Sequence, residues 1–241
     1  MIIRPHGSTQ LLITQPDHAA LAGRIMESWA ADDFPASPRR AEILRAIAEH
    51  DNGWRDIDAA PLVDPATGAL LDFIHAPDDV RQGVWPRGVD SLAHTPYAAA
   101  LVAQHALEIY ARYRADPRWQ PFFAGMEAAR DGHVRRASLS LDELQRDYLF
   151  VRAGDLISLT FCNAWREEQT VDGGRYRIRL EGDELRVTPD PFAARIIPLE
   201  VAGVEVPMAP FSTATGAQET FRGARRVRLR GTLRGGVGTL E

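Results

Sequence analysis

Residues 39–51 read Arg39-Arg40-Ala41-Glu42-Ile43-Leu44-Arg45-Ala46-Ile47-Ala48-Glu49-His50-Asp51. Ile43, Leu44, Ile47 and Ala48 recur at helical spacing, which predicts a helix from about Arg39 to His50 with those side chains turned inward. His50 falls on the face of Ile43, Ala46 and Ile47, and Asp51 on that of Leu44, Ile47 and Ala48. A charged carboxylate on a core face is costly unless it is paired or bound to a cation. Neighbouring helical residues are about 100° apart, so an adjacent His and Asp can both reach one ion.

The same pattern recurs on either side. Pro16-Asp17 opens a helix that runs to about Ala30, with Asp17 in the first turn where a negative charge suits the dipole. On it His18 lines up with Leu21, Ala22, Ile25 and Trp29. Thr95-Pro96 opens another, running to about Arg114, in which His105 accompanies Leu101 and Ile109. A shorter helical piece is expected around 118–130. Ser140 and Glu143 form a capping-box pattern for a last helix from about Leu141 to Glu167. There Asp155 shares a face with Leu144, Tyr148, Val151 and Leu159. Residues 52–92, with repeated Pro, Gly and Asp, read as a long irregular loop; in a compact domain that length usually marks a lid or a functional loop.

Strand patterns lie at the two ends. Ile2-Ile3 and Leu11-Leu12-Ile13 flank the polar turn His6-Gly7-Ser8, as in a short hairpin. Residues 175–180 alternate strictly, 181–183 form a turn, 185–188 return, and 227–230 alternate again. The expected fold is mainly α: a helical domain over 1–169 that includes the N-terminal hairpin, and a smaller β-rich appendage over 170–241. The hairpin is a candidate addition to that appendage. The stretch 231–236 lacks both the lysine and the strand-to-helix context of a phosphate loop, and reads as a flexible tail.

Composition narrows the classes of function. Apolar residues make up 45% of 241, enough for a large core. No apolar run approaches the roughly 20 residues a membrane span needs, and the N-terminus has no charged-then-apolar leader, so a cytoplasmic protein without membrane contact is expected. A net charge of −5 argues against a basic nucleic-acid-binding surface. All 28 basic residues are arginine, which excludes a lysine nucleophile, a Schiff base and a P-loop lysine. The single cysteine, Cys162, excludes an internal disulfide and a Cys-rich zinc ribbon, and is expected to pack as a small hydrophobe.

Two aspartates and three histidines on apolar helix faces need a common explanation, and a metal ion supplies one. Imidazole suits Zn, Fe, Mn, Co or Ni, and carboxylates shift the preference towards harder ions. The order of these residues resembles the HD superfamily of metal-dependent phosphohydrolases, whose signature is a lone His, a His-Asp pair on a later helix, and a distant Asp on a late helix. Those positions match His18, His50-Asp51 and Asp155. The text around them reads Ile13-Thr14-Gln15-Pro16-Asp17-His18, Glu49-His50-Asp51-Asn52-Gly53-Trp54 and Gly154-Asp155-Leu156-Ile157-Ser158-Leu159. It is similar to a bacterial family of uncharacterised proteins that keeps an HD-like core. Asn52-Gly53-Trp54 departs from the small or apolar residues that commonly follow the pair.

The resemblance implies a helical core holding one or two divalent transition-metal ions through His18, His50, Asp51, Asp155 and His105. It implies hydrolysis of a small phosphoester by a metal-activated water, with Asp51 holding the metal and orienting the nucleophile. His105 or His94 would bind a second ion or steady the leaving oxygen, two such ions lying about 3.5–4 Å apart. Trp54 and Trp85 are candidate pocket walls, and Arg24, Arg45, Arg81 and Arg87 candidate phosphate contacts. Two alternatives stand beside this: a di-iron HD-type oxygenase, and a non-catalytic metal-binding or regulatory module. A lone core histidine is more often a hydrogen-bonded structural residue, so His18 carries weight only with its partners. His75, in the long loop, is expected to be exposed to solvent, with a lid residue as the alternative, and His6 and His133 are assigned no role. The oligomeric state is left open, a homo-oligomer included.

Overall fold

A computed structural model describes residues 1–236 and 238. In chain order the elements are β1 (Ile2–His6), β2 (Thr9–Ile13), α1 (Gln15–Met26), α2 (Arg40–Glu49), α3 (Arg55–Asp58), β3 (Leu62–Val63), β4 (Leu70–Leu71), α4 (Asp78–Ser91), α5 (Pro96–Ile109), α6 (Gln120–Arg136), α7 (Leu141–Asn163), β5 (Gln169–Val171), β6 (Tyr176–Glu181), β7 (Glu184–Thr188), β8 (Ile196–Pro207), α8 (Ala214–Gly223) and β9 (Arg225–Gly235). Helix makes up 50% of the protein and strand 22%.

Local chemistry sets several helix ends. Thr14 caps α1 by accepting from the Asp17 N–H at 3.1 Å. Pro96 occupies the first turn of α5, where its missing N–H costs nothing. The capping box at α7 is complete: Ser140 Oγ accepts from the Glu143 N–H, and Glu143 Oε2 accepts from the Ser140 N–H at 2.9 Å. That helix stops at Ala164, which adopts a left-handed φ of 56°.

The expectation of a mainly α protein with a β appendage is overturned by a seven-stranded sheet of order β1-β2-β8-β9-β7-β6-β5. The N-terminal hairpin pairs through β2 with the 12-residue β8, so strands from both ends of the chain lie in one sheet. Every pairing is antiparallel except β7 with β9. Helices and sheet share one core: Ile2, Leu11, Ile25, Ile47, Leu101 and Val151 belong to the same buried cluster as Ile178, Leu199 and Leu233. Trp29, three residues past the end of α1, joins the two layers, its ring lying 5.0 Å from that of Tyr176 and 5.7 Å from that of Phe192.

Two further expectations are corrected. The segment 52–92 is largely ordered into α3, the β3–β4 hairpin and the 14-residue α4. The glycine-rich stretch 231–236 is not a flexible tail, because Gly231 to Gly235 finish β9 inside the sheet. Gly231 is needed there for close approach: a Cβ would stand 2.6 Å from Phe161 Cε2 of α7. The end of the proposed appendage, residues 237 and 239–241, lies outside the described residues. No helix among the described residues is long and apolar enough to cross a membrane.

α1, α2 and α7 pack against one another, and α5 packs on α2 and α7. Gly154 sets the approach of α7, since a Cβ there would meet Met26 Cγ at 2.8 Å and Ile47 Cγ2 at 2.9 Å. The next residue along α7 is Asp155, so this close contact carries its carboxylate to the helices that bear His18 and His50.

Candidate metal centre

Four helices bring the ionisable side chains together. His18 comes from α1, His105 from α5 and Asp155 from α7, and all three are buried. His50 caps the C-terminus of α2 and Asp51 lies one residue beyond, so the pair sits at the helix end rather than along its face. A helix C-terminus carries partial negative charge and favours a cation nearby.

The ligand atoms converge. His18 Nε2 lies 3.2 Å from His50 Nε2 and 3.0 Å from Asp51 Oδ2. His50 Nε2 lies 3.6 Å from Asp51 Oδ2 and 3.5 Å from Asp155 Oδ1, and His18 Nε2 is 3.8 Å from that same Oδ1. Ligands about 2.0–2.2 Å from one ion stand roughly 3.0 Å apart at right angles and roughly 3.4 Å apart in a tetrahedron. The observed spacings match one small ion. The groups His18/His50/Asp51 and His50/His105/Asp155 are each close enough to hold a metal ion.

Hydrogen bonding fixes which ring nitrogens are free. Ser158 Oγ donates to the His18 carbonyl at 2.7 Å, so towards His18 Nδ1, 3.1 Å away, it acts as acceptor. His50 Nδ1–H donates to the Ile47 carbonyl at 2.7 Å. Both Nδ1 atoms are therefore protonated, and in the neutral rings both Nε2 lone pairs point at each other and at two carboxylates. Only a proton or a metal cation reconciles that contact. Metal-binding histidines commonly have their other nitrogen tied down in this way.

The titration behaviour agrees with a site that demands positive charge. Burial alone would lower the His50 pKa, but Asp51 and Asp155 outweigh it and raise it to about 9. Burial would raise Asp155, yet His50, His105 and His18 hold it well below the usual carboxylate range. His105 is pulled down to about 4, chiefly by burial, and its ring stays neutral. Without metal the cluster keeps a proton on His50; a metal ion would take that proton's place.

A cavity of about 510 Å³ opens over the cluster, with Asp51, His105 and Asp155 in its wall. Trp54 and Trp85 line it, as expected from sequence. The five expected ligands are thus brought together, whereas His94 is exposed in the turn before α5 and does not line the cavity. The arginines expected at a phosphate lie elsewhere. Arg24 donates to the Glu200 carbonyl, Arg45 pairs with Glu49, and Arg81 packs over Tyr113 and Trp119. Arg87 lines a different surface hollow. Arg112 and Arg152 line the cavity instead, and Arg152 Nη1 stands 3.6 Å from Asp155 Oδ2.

Three supporting residues went unread in the sequence. Gln15 Nε2 donates to Asp51 Oδ2 at 3.1 Å, Ser158 holds His18, and Tyr148 Oη lies 3.1 Å from His105 Nδ1. Ser158 carried a faint signal, as a polar residue one turn after Asp155 within an apolar run.

Fold and site together define an α+β protein with a buried His/Asp cluster able to hold a metal ion. Over residues 1–208 the chain matches the family described as "Protein of unknown function (DUF3891)", and it belongs to that family. No curated protein and no solved structure matches the chain.

Proposed function

We propose that the protein is a metal-dependent phosphohydrolase acting on a small phosphoester. The observation that carries this reading is the convergence of His18 Nε2, His50 Nε2, Asp51 Oδ2 and Asp155 Oδ1, with Asp51 and Asp155 in the wall of a cavity of about 510 Å³. The resemblance to the HD superfamily supports it at the same residues. Those four side chains would hold a divalent ion of the Mn, Fe, Co, Ni or Zn group. When bound, such an ion lowers the pKa of water and polarises a phosphoryl oxygen.

The chain's own groups do the rest. Gln15 fixes the Asp51 rotamer, and Asp51, which also faces the cavity, accepts a hydrogen bond from the attacking water. Arg152 offers its guanidinium to the phosphoryl oxygens. His105 has two roles according to its tautomer. If Tyr148 donates to Nδ1, Nε2–H can donate to the leaving oxygen; if His105 donates to Tyr148, Nε2 is free to ligate.

The test is phosphate release from a panel of small phosphomonoesters, with Mn²⁺, Co²⁺, Ni²⁺ or Zn²⁺ supplied in turn. Release is expected with at least one ion and is abolished in His50→Ala. Metal-loaded protein that releases no phosphate from any ester would sink the reading.

One observation favours a second reading, a di-iron HD-type oxygenase. Asp155 turns Oδ1 towards His18 and His50, and Oδ2 towards His105 at 3.8 Å, the arrangement a carboxylate shared by two ions would have. Two equivalents of iron with substrate-dependent O₂ uptake would select that reading.

A further inference from the structure

Three of the chain's five tryptophans, Trp54, Trp85 and Trp165, line the cavity that opens on the His/Asp cluster. Phe73, Tyr110 and Tyr148 join them in its wall. Core packing accounts for Trp54 and Trp85, which are buried, but Trp165 and Phe73 are only half-buried and keep ring surface at the cavity. The aromatic surface begins next to the candidate ligands. The His105 ring lies 5.0 Å from that of His50, and the rings of Trp85 and Tyr148 lie 5.7 and 5.9 Å from His105. Along α7, Tyr148, Arg152 and Asp155 follow at one-turn spacing, so a phenol ring, a guanidinium and a candidate ligand occupy neighbouring places in the wall.

We infer that the substrate carries a flat aromatic ring within a bond or two of its phosphoester oxygen, with Arg152 facing the phosphoryl group and the ring against the aromatic wall of the cavity, to which Trp165 and Phe73 contribute. This rests on the phosphohydrolase reading for the phosphoryl group and on the aromatic wall for the ring. The volume suits one small ligand of this kind. In the reaction an oxygen from water bonds to phosphorus and the ester P–O bond breaks. The departing oxygen takes up a proton to give the aromatic alcohol, and inorganic phosphate is the other product; no oxidant or reductant is consumed.

Benzyl phosphate and cyclohexylmethyl phosphate test the ring. They have the same charge, similar size and similar leaving alcohols, and differ in flatness and aromaticity. Hydrolysis is measured as kcat/KM with the Mn²⁺-loaded full chain, and binding by quenching of tryptophan fluorescence. Aromatic contacts favour the benzyl ester about 10-fold in both. Trp165→Leu, at a half-buried position, brings the ratio of the two esters towards one; Phe73→Leu acts in the same direction. Cleavage of both esters with equal kcat/KM and equal affinity would overturn the ring selectivity and leave the hydrolase reading standing. So would a preference undiminished in both variants. No phosphate from either ester with Mn²⁺, Co²⁺, Ni²⁺ or Zn²⁺, alongside tighter benzyl binding that Trp165→Leu removes, would support the ring selectivity and overturn the hydrolase reading.

Discussion

Ser158→Ala removes the hydrogen bond that holds His18 in the tautomer a metal needs. Ser158 Oγ sits 3.1 Å from His18 Nδ1 and donates to the His18 carbonyl at 2.7 Å, in a fully buried position. With the hydroxyl gone, the Nδ1–H has no partner, and leaving a buried polar group unpaired costs about 1–3 kcal/mol. The ring can escape by moving its proton to Nε2, which takes away the lone pair that faces His50 and Asp51. Loss of such an outer hydrogen bond typically weakens metal affinity about 10–100-fold. Thr160→Ala is the control. Its hydroxyl donates to the Leu156 carbonyl at 2.7 Å on the same helix and is equally buried, but its hydrogen bond stays within α7. Chelator competition gives the metal affinity, and thermal melts in EDTA give the stability. Ser158→Ala should lose both affinity and stability, and Thr160→Ala stability alone. Equal metal affinity in wild type and both variants would refute the tautomer argument.

Other predictions concern acidity, the core and His94. His50, raised to about 9 in the metal-free protein from an ordinary value near 6.5, contributes stability that is complete below about pH 6.5 and lost as pH rises through 9. His105, lowered to about 4, contributes stability that is present above about 6.5 and lost as pH falls towards 4. Melts in EDTA should therefore peak near pH 6.5 as far as these two groups decide it, and saturating metal should flatten the alkaline side by replacing the His50 proton. Trp29→Ala should cost about 3–5 kcal/mol and lower the unfolding of helices and sheet together, since its ring packs on both layers; far-UV and near-UV circular dichroism would show one shifted transition. His94→Ala should leave metal content and activity as they are, because His94 is exposed and away from the cavity; a loss in either would reinstate it as a site residue.

The helices that carry the site were legible because their apolar faces are regular and because ionisable residues in line with such faces are rare. His18, His50, Asp51, His105 and Asp155 stood out for that reason. The sheet was less legible. β2 pairs with β8 across nearly the whole chain, and no local pattern announces a partner so distant. In β8 the inward Ile197, Leu199 and Val201 alternate, but Gly203 and Val204 are both buried and break the period. α4 looked like loop because it contains Pro86, Gly83 and Gly88; tertiary packing, including Arg81 over Tyr113 and Trp119, holds it helical against poor propensity. Gln15, Tyr148 and Arg152 act through hydrogen bonds or charge at the cavity, and in sequence they resemble ordinary polar residues on a helix.

The buried His/Asp cluster is expected to hold metal. Elemental analysis of the full chain purified without chelator, beside His50→Ala/Asp51→Ala, tests it most directly. The structure leads us to expect one or two equivalents of a transition metal in the wild type and none in the double variant. No metal in either protein, and none taken up when Mn²⁺, Fe²⁺, Co²⁺, Ni²⁺ or Zn²⁺ is added back, would contradict it.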